Sequence, residues 1–404
     1  METRDEASRQ GNHPESAPTF APTKSTGAFQ MSNSNTIRTS ASERRLALPG
    51  AQGDGPLVTA LIPTRNRVRL LRRAIRSVQA QEVQRLRIHI FDNSSTDDTV
   101  ESVSRLAEED PRLRVSRHER DIGAFANFQT ALSAVRTPYF SILSDDDVIS
   151  PCLYSRALDA FARNSRAAVF FSDVVHVGDG DRVFKRPLQR WTTGHFLPPD
   201  GLDLMVNLGR PEWTGAVFRT EPALSHGALL ETMRLHADVE FTFRIAAREE
   251  ILIDLVPGAV FNVSTSHRRP YRFSDLKHGC AALAQEVQSW TGVPSSLVAR
   301  VISSQHEDLA CNLLGRHLAY CLARMPEDAS LVEEHLQHAC RMGPAMRSYL
   351  RATSLLTHYR PTSALLRKAQ ELKRELTRRR LPKFDAQYCA ETGVPIGLLA
   401  AWRL

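Results

Sequence analysis

Apolar positions along this chain change period several times, and each change marks an element. Residues 57–62 (LVTALI) are a short apolar run with β-branched members that stops at Pro63, which predicts a buried strand. Leu71, Ile75 and Val78 then recur at helical spacing, predicting a helix over 68–80 with Asn66 as its cap. A second strand is expected at 86–91 (LRIHIF), followed by a helix through Val100, Val103 and Leu106 that Ser95 and Asp98 open as a capping box. A third strand at 113–116 precedes a helix over 123–135, with Phe128, Leu132 and Val135 on one face. A fourth strand at 139–144 (YFSILS), a helix from Pro151 and a strand at 167–171 follow. Strand and helix alternate, so the fold class is α/β with a mostly parallel sheet. From about residue 277 helical stretches replace strands up to Arg380, and residues 1–55, rich in Ser, Thr, Asn, Pro and Ala, show no period. The expected organisation is a disordered segment 1–55, an α/β domain 56–275 and a helical region 276–404 outside it.

In open parallel sheets, ligands bind beyond the carboxyl ends of the strands. Three predicted strands end there in polar clusters: Pro63-Thr64-Arg65-Asn66, Asp92-Asn93 and Asp145-Asp146-Asp147. Consecutive carboxylates repel one another, and a divalent cation neutralises them well. Mg²⁺ and Mn²⁺ prefer oxygen ligands and commonly bridge to a substrate phosphate. If the segment is extended, Asp145 and Asp147 face one ligand while Asp146 faces elsewhere. An acidic turn before the helix at Pro151 explains the run more plainly, and the coincidence of three polar strand ends is what favours a site. No G-x-G-x-x-G or P-loop pattern is present, so dinucleotide-binding and P-loop readings lack support.

Composition changes this picture little; charge placement changes it more. The 404 residues are 42% hydrophobic and 24% charged, enough for a packed core. Of the net charge of +7, residues 341–404 carry 13 Lys and Arg against 4 Asp and Glu, leaving the first 340 residues slightly acidic. A nucleic-acid-binding role for the whole chain is therefore not expected. The basic stretch 363–380 (SALLRKAQELKRELTRRR) suits either a solvated helix, the plainer reading, or peripheral contact with an anionic membrane. No apolar run nears the ~18 residues of a membrane span, and no signal-peptide core is visible. Six scattered cysteines without a C-x-x-C pair read as reduced thiols, so a cytoplasmic protein is expected.

The segment 56–148 resembles the nucleotide-binding half of family 2 glycosyltransferases with the GT-A fold. Ile62 to Arg67 is similar to the family's first-strand motif, with Arg65 where Tyr or Phe is usual. Asp92 to Thr99 is similar to the loop after its second strand, Gly123 to Asn127 to its third stretch, and Leu143 to Asp147 to its DxD motif. The resemblance implies a nucleotide sugar, with UDP or TDP favoured, as donor. It implies Pro63, Thr64, Arg65 and Asn66 around the nucleotide, Asp92 on the base, Asp145 and Asp146 on the nucleotide sugar, and Asp147 on Mn²⁺ or Mg²⁺. Trp213-Thr214-Gly215 resembles the glycine-containing segment under the acceptor, and His267 is similar to a late-loop histidine that contacts the metal or diphosphate. His236 to Phe241 resembles the Glu-Asp motif, with Ala237 in place of its Glu. Asp238 is then the expected base and Glu240 the alternative.

The resemblance implies a single displacement with inversion. The Gln-x-x-Arg-Trp motif of processive synthases is missing, because Gln189-Arg190-Trp191 lacks the spacing. Transfer of one or a few sugars to a glycan, lipid-linked or small-molecule acceptor is expected. A nucleotidyltransferase is the competing enzyme, and a degenerate domain acting by nucleotide binding or interaction is the non-catalytic alternative.

Overall fold

The structure is a computed structural model that describes residues 55–264, 273–307 and 380–404. Residues 1–54 of the segment expected to be disordered, the basic helix up to residue 379, and His267 lie outside these residues.

In chain order the elements are β1 (Val58–Thr64), α1 (Val68–Gln79), β2 (Leu86–Asp92), α2 (Thr99–Glu109), β3 (Leu113–Arg117), α3 (Ala124–Ser133) and β4 (Tyr139–Ile142). Next come β5 (Val148–Ile149), α4 (Leu153–Arg163), β6 (Val169–Gly178), β7 (Arg182–Lys185), β8 (Gly194–Phe196) and α5 (Asp200–Leu208). A 3-10 turn at Trp213–Gly215 leads into β9 (Ala216–Arg219) and α6 (Thr220–Ser225), and a second at Glu231–His236 leads into α7 (Ala237–Arg248). β10 (Ile251–Asn262), α8 (Phe273–Gln288) and α9 (Ser295–Glu307) follow; α10 (Ala386–Thr392) and α11 (Ile396–Arg403) are the last described helices.

Among the described residues the sheet runs β3-β2-β1-β4-β9-β6-β10-β5, with β7 beside β6 and β8 beside β10. β3, β2, β1 and β4 are parallel neighbours. β9 is antiparallel to both β4 and β6, so β6 and its parallel partner β10 share the direction of the first four. The α/β expectation therefore holds, with β9 reversed inside the sheet and the short β5, β7 and β8 reversed at its margin.

Both faces of the sheet are covered at its centre, which is why β1 and β6 are buried along their whole length. Along β1, Ala60 and Ile62 pack with Leu71, Ile75 and Val78 of α1, while Leu61 points the other way toward Phe91, Leu132 and Phe140. Phe140 stacks on Phe218 at 4.9 Å, and Trp213 meets Phe241 edge-on at 5.5 Å, tying β4, β9 and α7 together.

Three local expectations need correction. Asn66 does not cap α1: it sits at φ +54°, and its Oδ1 accepts from Thr96 N at 2.7 Å. Ser95 does not open α2: its hydroxyl accepts from Asn66 N, and Asp97 Oδ1 accepts from Thr99 N instead. The strand from 167 runs on to Gly178 because the polar pair Ser172-Asp173 is satisfied internally, Asp173 by Arg186 Nε at 2.6 Å and Leu188 N at 3.1 Å.

The described helices after residue 275 pack on the α/β unit instead of standing outside it. Leu283, Val287, Trp290, Leu297 and Val301 join the core that holds Phe241 and Met205. Phe384, Tyr388, Leu398, Leu399 and Trp402 form a third core with Val148, Val175, Val177, Val183 and Val260.

Candidate functional site

β1, β2 and β4 are parallel neighbours, so their polar ends emerge side by side. Thr64, the last residue of β1, donates from Oγ1 to Asp145 Oδ2 at 2.7 Å. Arg67, three residues on, donates from Nη1 to Asp145 Oδ1 at 3.0 Å and Asp146 Oδ2 at 3.2 Å. Asn66 crosses to the loop after β2, and Arg65 ion-pairs with Asp121. Asn93 receives Ile122 N at 2.9 Å and donates to Asp121 at 2.7 Å, which fastens the loop after β2 to the turn that opens α3. Asp92 is buried, with Ser95 N at 3.2 Å and Arg117 Nε at 3.5 Å from its Oδ2. Pro63 lies in β1 opposite Phe91. The structure thus brings together Pro63, Thr64, Arg65, Asn66, Asp92, Asp145 and Asp146.

Residues 144–147 do not continue β4 as extended chain. Asp147 N donates to Ser144 O at 3.1 Å, closing a turn that carries Asp147 inward. Its carboxylate is fully buried and accepts from Thr214 Oγ1 and from Asn262 N at 2.8 Å. This differs from the expectation that Asp145 and Asp147 share one outlook. Burial, then the nearby Asp146, pushes the Asp147 carboxyl well up, with Thr214 and Asn262 opposing. Asp145 rises to about 6 through burial and Asp146, against Arg67 and Thr64. Asp146 is the most open of the three carboxylates, at 17% side-chain exposure.

The 3-10 turn at 213–215 links this cluster to the opposite half of the sheet. Thr214 holds Asp147, Trp213 Nε1 donates to Thr242 Oγ1 of α7 at 2.8 Å, and Gly215 lies against β6. A Cβ on Gly215 would stand 2.7 Å from Ser172 Oγ and Val174 Cγ2, so only glycine lets the turn approach so closely. Asp238 stands in the first turn of α7, open to solvent on one side. The protein packed around it raises its carboxyl; Arg210 opposes the rise and Glu212 adds to it. Just before it, Arg234 takes φ +46° and the buried His236 lies 3.3 Å from Cys280 Sγ, which anchors this end of α7 to α8. Glu240 is fully buried and gripped by Arg244 at 2.7 and 2.9 Å.

Sequence reasoning missed Arg67, Arg73 and Glu212. Arg73 belongs to the helical pattern of α1 and Arg67 immediately precedes that helix, and only the fold turns them toward the acidic loop. Glu212 acts electrostatically on both Asp147 and Asp238. Burial presses Glu212 upward, but the adjacent His176, 3.2 Å away, with Arg210 and Lys185, holds it below the usual carboxylate range. A cavity of about 880 Å³ lies elsewhere, along the outer side of α1 and lined by Arg69, Arg72, Arg76, Arg105 and Leu404; it reaches the acidic loop only through Arg73. Among the described residues no group of three His, Cys, Asp or Glu side chains is arranged to hold a metal ion by itself.

Residues 59–220 match the family model described as glycosyl transferase family 2. Chondroitin synthase of Escherichia coli is 30% identical over 118 residues, covering 29% of this chain and 17% of that protein. The GalNAc(5)-diNAcBac-PP-undecaprenol beta-1,3-glucosyltransferase of Campylobacter jejuni is 32% identical over 93 residues, covering 23% of this chain and 30% of that protein. The chain therefore spans less than a third of the length of these curated relatives. S. aureus TarS 1–349, solved in complex with UDP, aligns with a TM-score of 0.53 at 14% identity, covering 78% of this chain and 92% of that one. At such identity the likeness speaks for a shared GT-A fold. The matched segment lies within the α/β unit of this chain, which is thus similar to glycosyl transferase family 2 over residues 59–220.

Proposed function

We propose that this protein moves a sugar from a nucleoside diphosphate sugar, UDP- or TDP-linked, to an acceptor hydroxyl, with inversion at the anomeric carbon. The observation that carries the reading is the gathering of polar side chains at three adjoining strand ends, with the carboxylates of Asp92, Asp145 and Asp146 among them and Asp145 raised to about 6. The TarS structures in complex with UDP and with UDP-GlcNAc agree with a donor of this class.

In this reading Pro63, Thr64, Arg65, Asn66 and Asp92 border the base and ribose, and Asp145 and Asp146 face the diphosphate. The donor set fits Mn²⁺ or Mg²⁺ only together with substrate phosphates, as is common for Mg²⁺. Asp146 is a better candidate to hold it than Asp147, whose oxygens are already engaged by Thr214 and Asn262. Such a cation supplies Lewis-acid stabilisation of the departing diphosphate. His267 remains a proposed further contact there.

On the acceptor side, Asp238 takes the proton from the hydroxyl as its oxygen bonds to the anomeric carbon and the carbon–diphosphate bond breaks. An open carboxylate of raised pKa suits that task. Glu240 suits it poorly, because Arg244 occupies both of its oxygens. Trp213, Thr214 and Gly215 lie under the acceptor, a glycan, lipid-linked or small-molecule alcohol. We place the reaction on the cytoplasmic side and take it to be non-processive; no described helix is long and apolar enough to cross a membrane.

The test is nucleoside diphosphate release from a panel of UDP-, TDP- and GDP-sugars with Mn²⁺, for the wild type and Asp238→Asn. Release from one donor class, lost in the variant while the nucleotide still binds, is expected. Equal release by both would remove Asp238 from the base role.

A further inference from the structure

Residues 381–404 follow the α/β unit by more than a hundred positions, yet they reach its acidic loop. Arg73 of α1 donates from Nη2 to the backbone carbonyl of Asp146 at 2.7 Å. The same guanidinium lies over the indole of Trp402, its Cζ 4.0 Å from the ring centroid. Trp402 is itself fixed: its Nε1 donates to Asp181 Oδ1 at 2.9 Å, and it is 8% exposed within the third core. Asp181, at the tip of the β6–β7 hairpin, also accepts from Phe384 N at 2.7 Å, so one turn residue holds both ends of the segment. The same core contains Val148, the residue directly after Asp147. Burial lowers the Arg73 pKa while the Asp147 and Asp146 charges oppose it, so the acidic loop favours the cation that lies over the ring.

We infer that Trp402 is a positioning residue for the donor site: by pressing Arg73 against the Asp146 carbonyl it fixes the turn from which Asp145 and Asp146 face the diphosphate. This deepens the transferase reading and rests on it for the ligand. The mechanical part, a brace on residues 144–147, stands on geometry alone. An indole face is the strongest neutral platform for a guanidinium, and a leucine of similar burial lacks the attraction.

The test uses the full chain in three variants: Trp402→Leu, Trp402→Phe and Arg73→Met. Arg73→Met keeps the stem of a half-buried side chain and guards against a Trp402 variant that fails to fold. Two readouts are taken. Amide hydrogen exchange in peptides covering residues 143–149 is compared with that in peptides covering 92–98, the loop after β2. Titration with UDP is run with and without Mn²⁺. Trp402→Leu and Arg73→Met should speed exchange in 143–149 roughly tenfold and leave 92–98 unchanged, as the loss of one cation–π contact implies. They should weaken Mn²⁺-dependent UDP binding by a similar factor, and Trp402→Phe should recover most of both effects. Unchanged exchange in 143–149 in either variant, or equal acceleration everywhere, would overturn the brace. A wild type that binds no UDP would count against the transferase reading, while the exchange comparison would still decide the brace.

Discussion

At Asp145 burial and function pull against each other. Its folded pKa of about 6 lies above that of an exposed carboxylate, so between about pH 4 and 6 the folded protein holds more proton than the unfolded chain. Stability at this group is then greatest below that window and falls as pH rises through it, a loss of about 3 kcal/mol. Asp145→Asn should flatten that part of a stability–pH curve from urea unfolding; an unchanged slope would argue against the burial account. Asp238 and Glu240, two residues apart, should separate cleanly. Asp238→Asn should lower kcat by roughly 10²- to 10⁴-fold with little change in melting temperature. Glu240→Gln should instead destabilise the fold by about 3 kcal/mol, because Arg244 loses its buried counter-charge. Calorimetric melting and steady-state rates on the same two proteins check both.

The strand ends are the elements that sequence reading recovered best. β1 and β4 are buried along their length, β2 alternates Arg87 and His89 with apolar residues, and each leads into a polar cluster, so period and punctuation agree. The turns were less legible. Residues 144–147 were read as extended, which gave Asp145 and Asp147 a common outlook; a backbone bond from Asp147 N to Ser144 O bends them, and Asp147 goes inward. The acidic turn that the run of three aspartates also suggested describes this backbone better, and Thr214 and Asn262 from distant elements hold Asp147 within it. The caps at Asn66 and Ser95 failed for a related reason: both side chains tie the first two strand loops to each other. The turn at 213–215 is the element that makes the buried Asp147 tolerable. Thr214→Val should cost about 1 to 3 kcal/mol by leaving that carboxylate short of a donor, read by urea unfolding at neutral pH.

At the scale of the whole molecule, the boundary read near residue 275 does not separate packing units among the described residues. Its apolar residues are thinly spaced in sequence, and their partners, such as Val148 and Val260 for Phe384, lie more than a hundred positions away, so no local period reveals them. Phe384 is completely enclosed, and Phe384→Ala should destabilise the α/β unit by about 3 to 5 kcal/mol. A transition unchanged from wild type would mean that the segment docks without supporting the sheet. The central claim, a nucleoside diphosphate sugar held at the ends of β1, β2 and β4, is tested most directly by calorimetric titration with UDP, TDP and GDP. Each is run with and without Mn²⁺, on the wild type and on Asp146→Asn. The account predicts Mn²⁺-dependent binding of UDP or TDP by the wild type and its loss in the variant. A folded wild type that binds none of the three, with or without the metal, would contradict it.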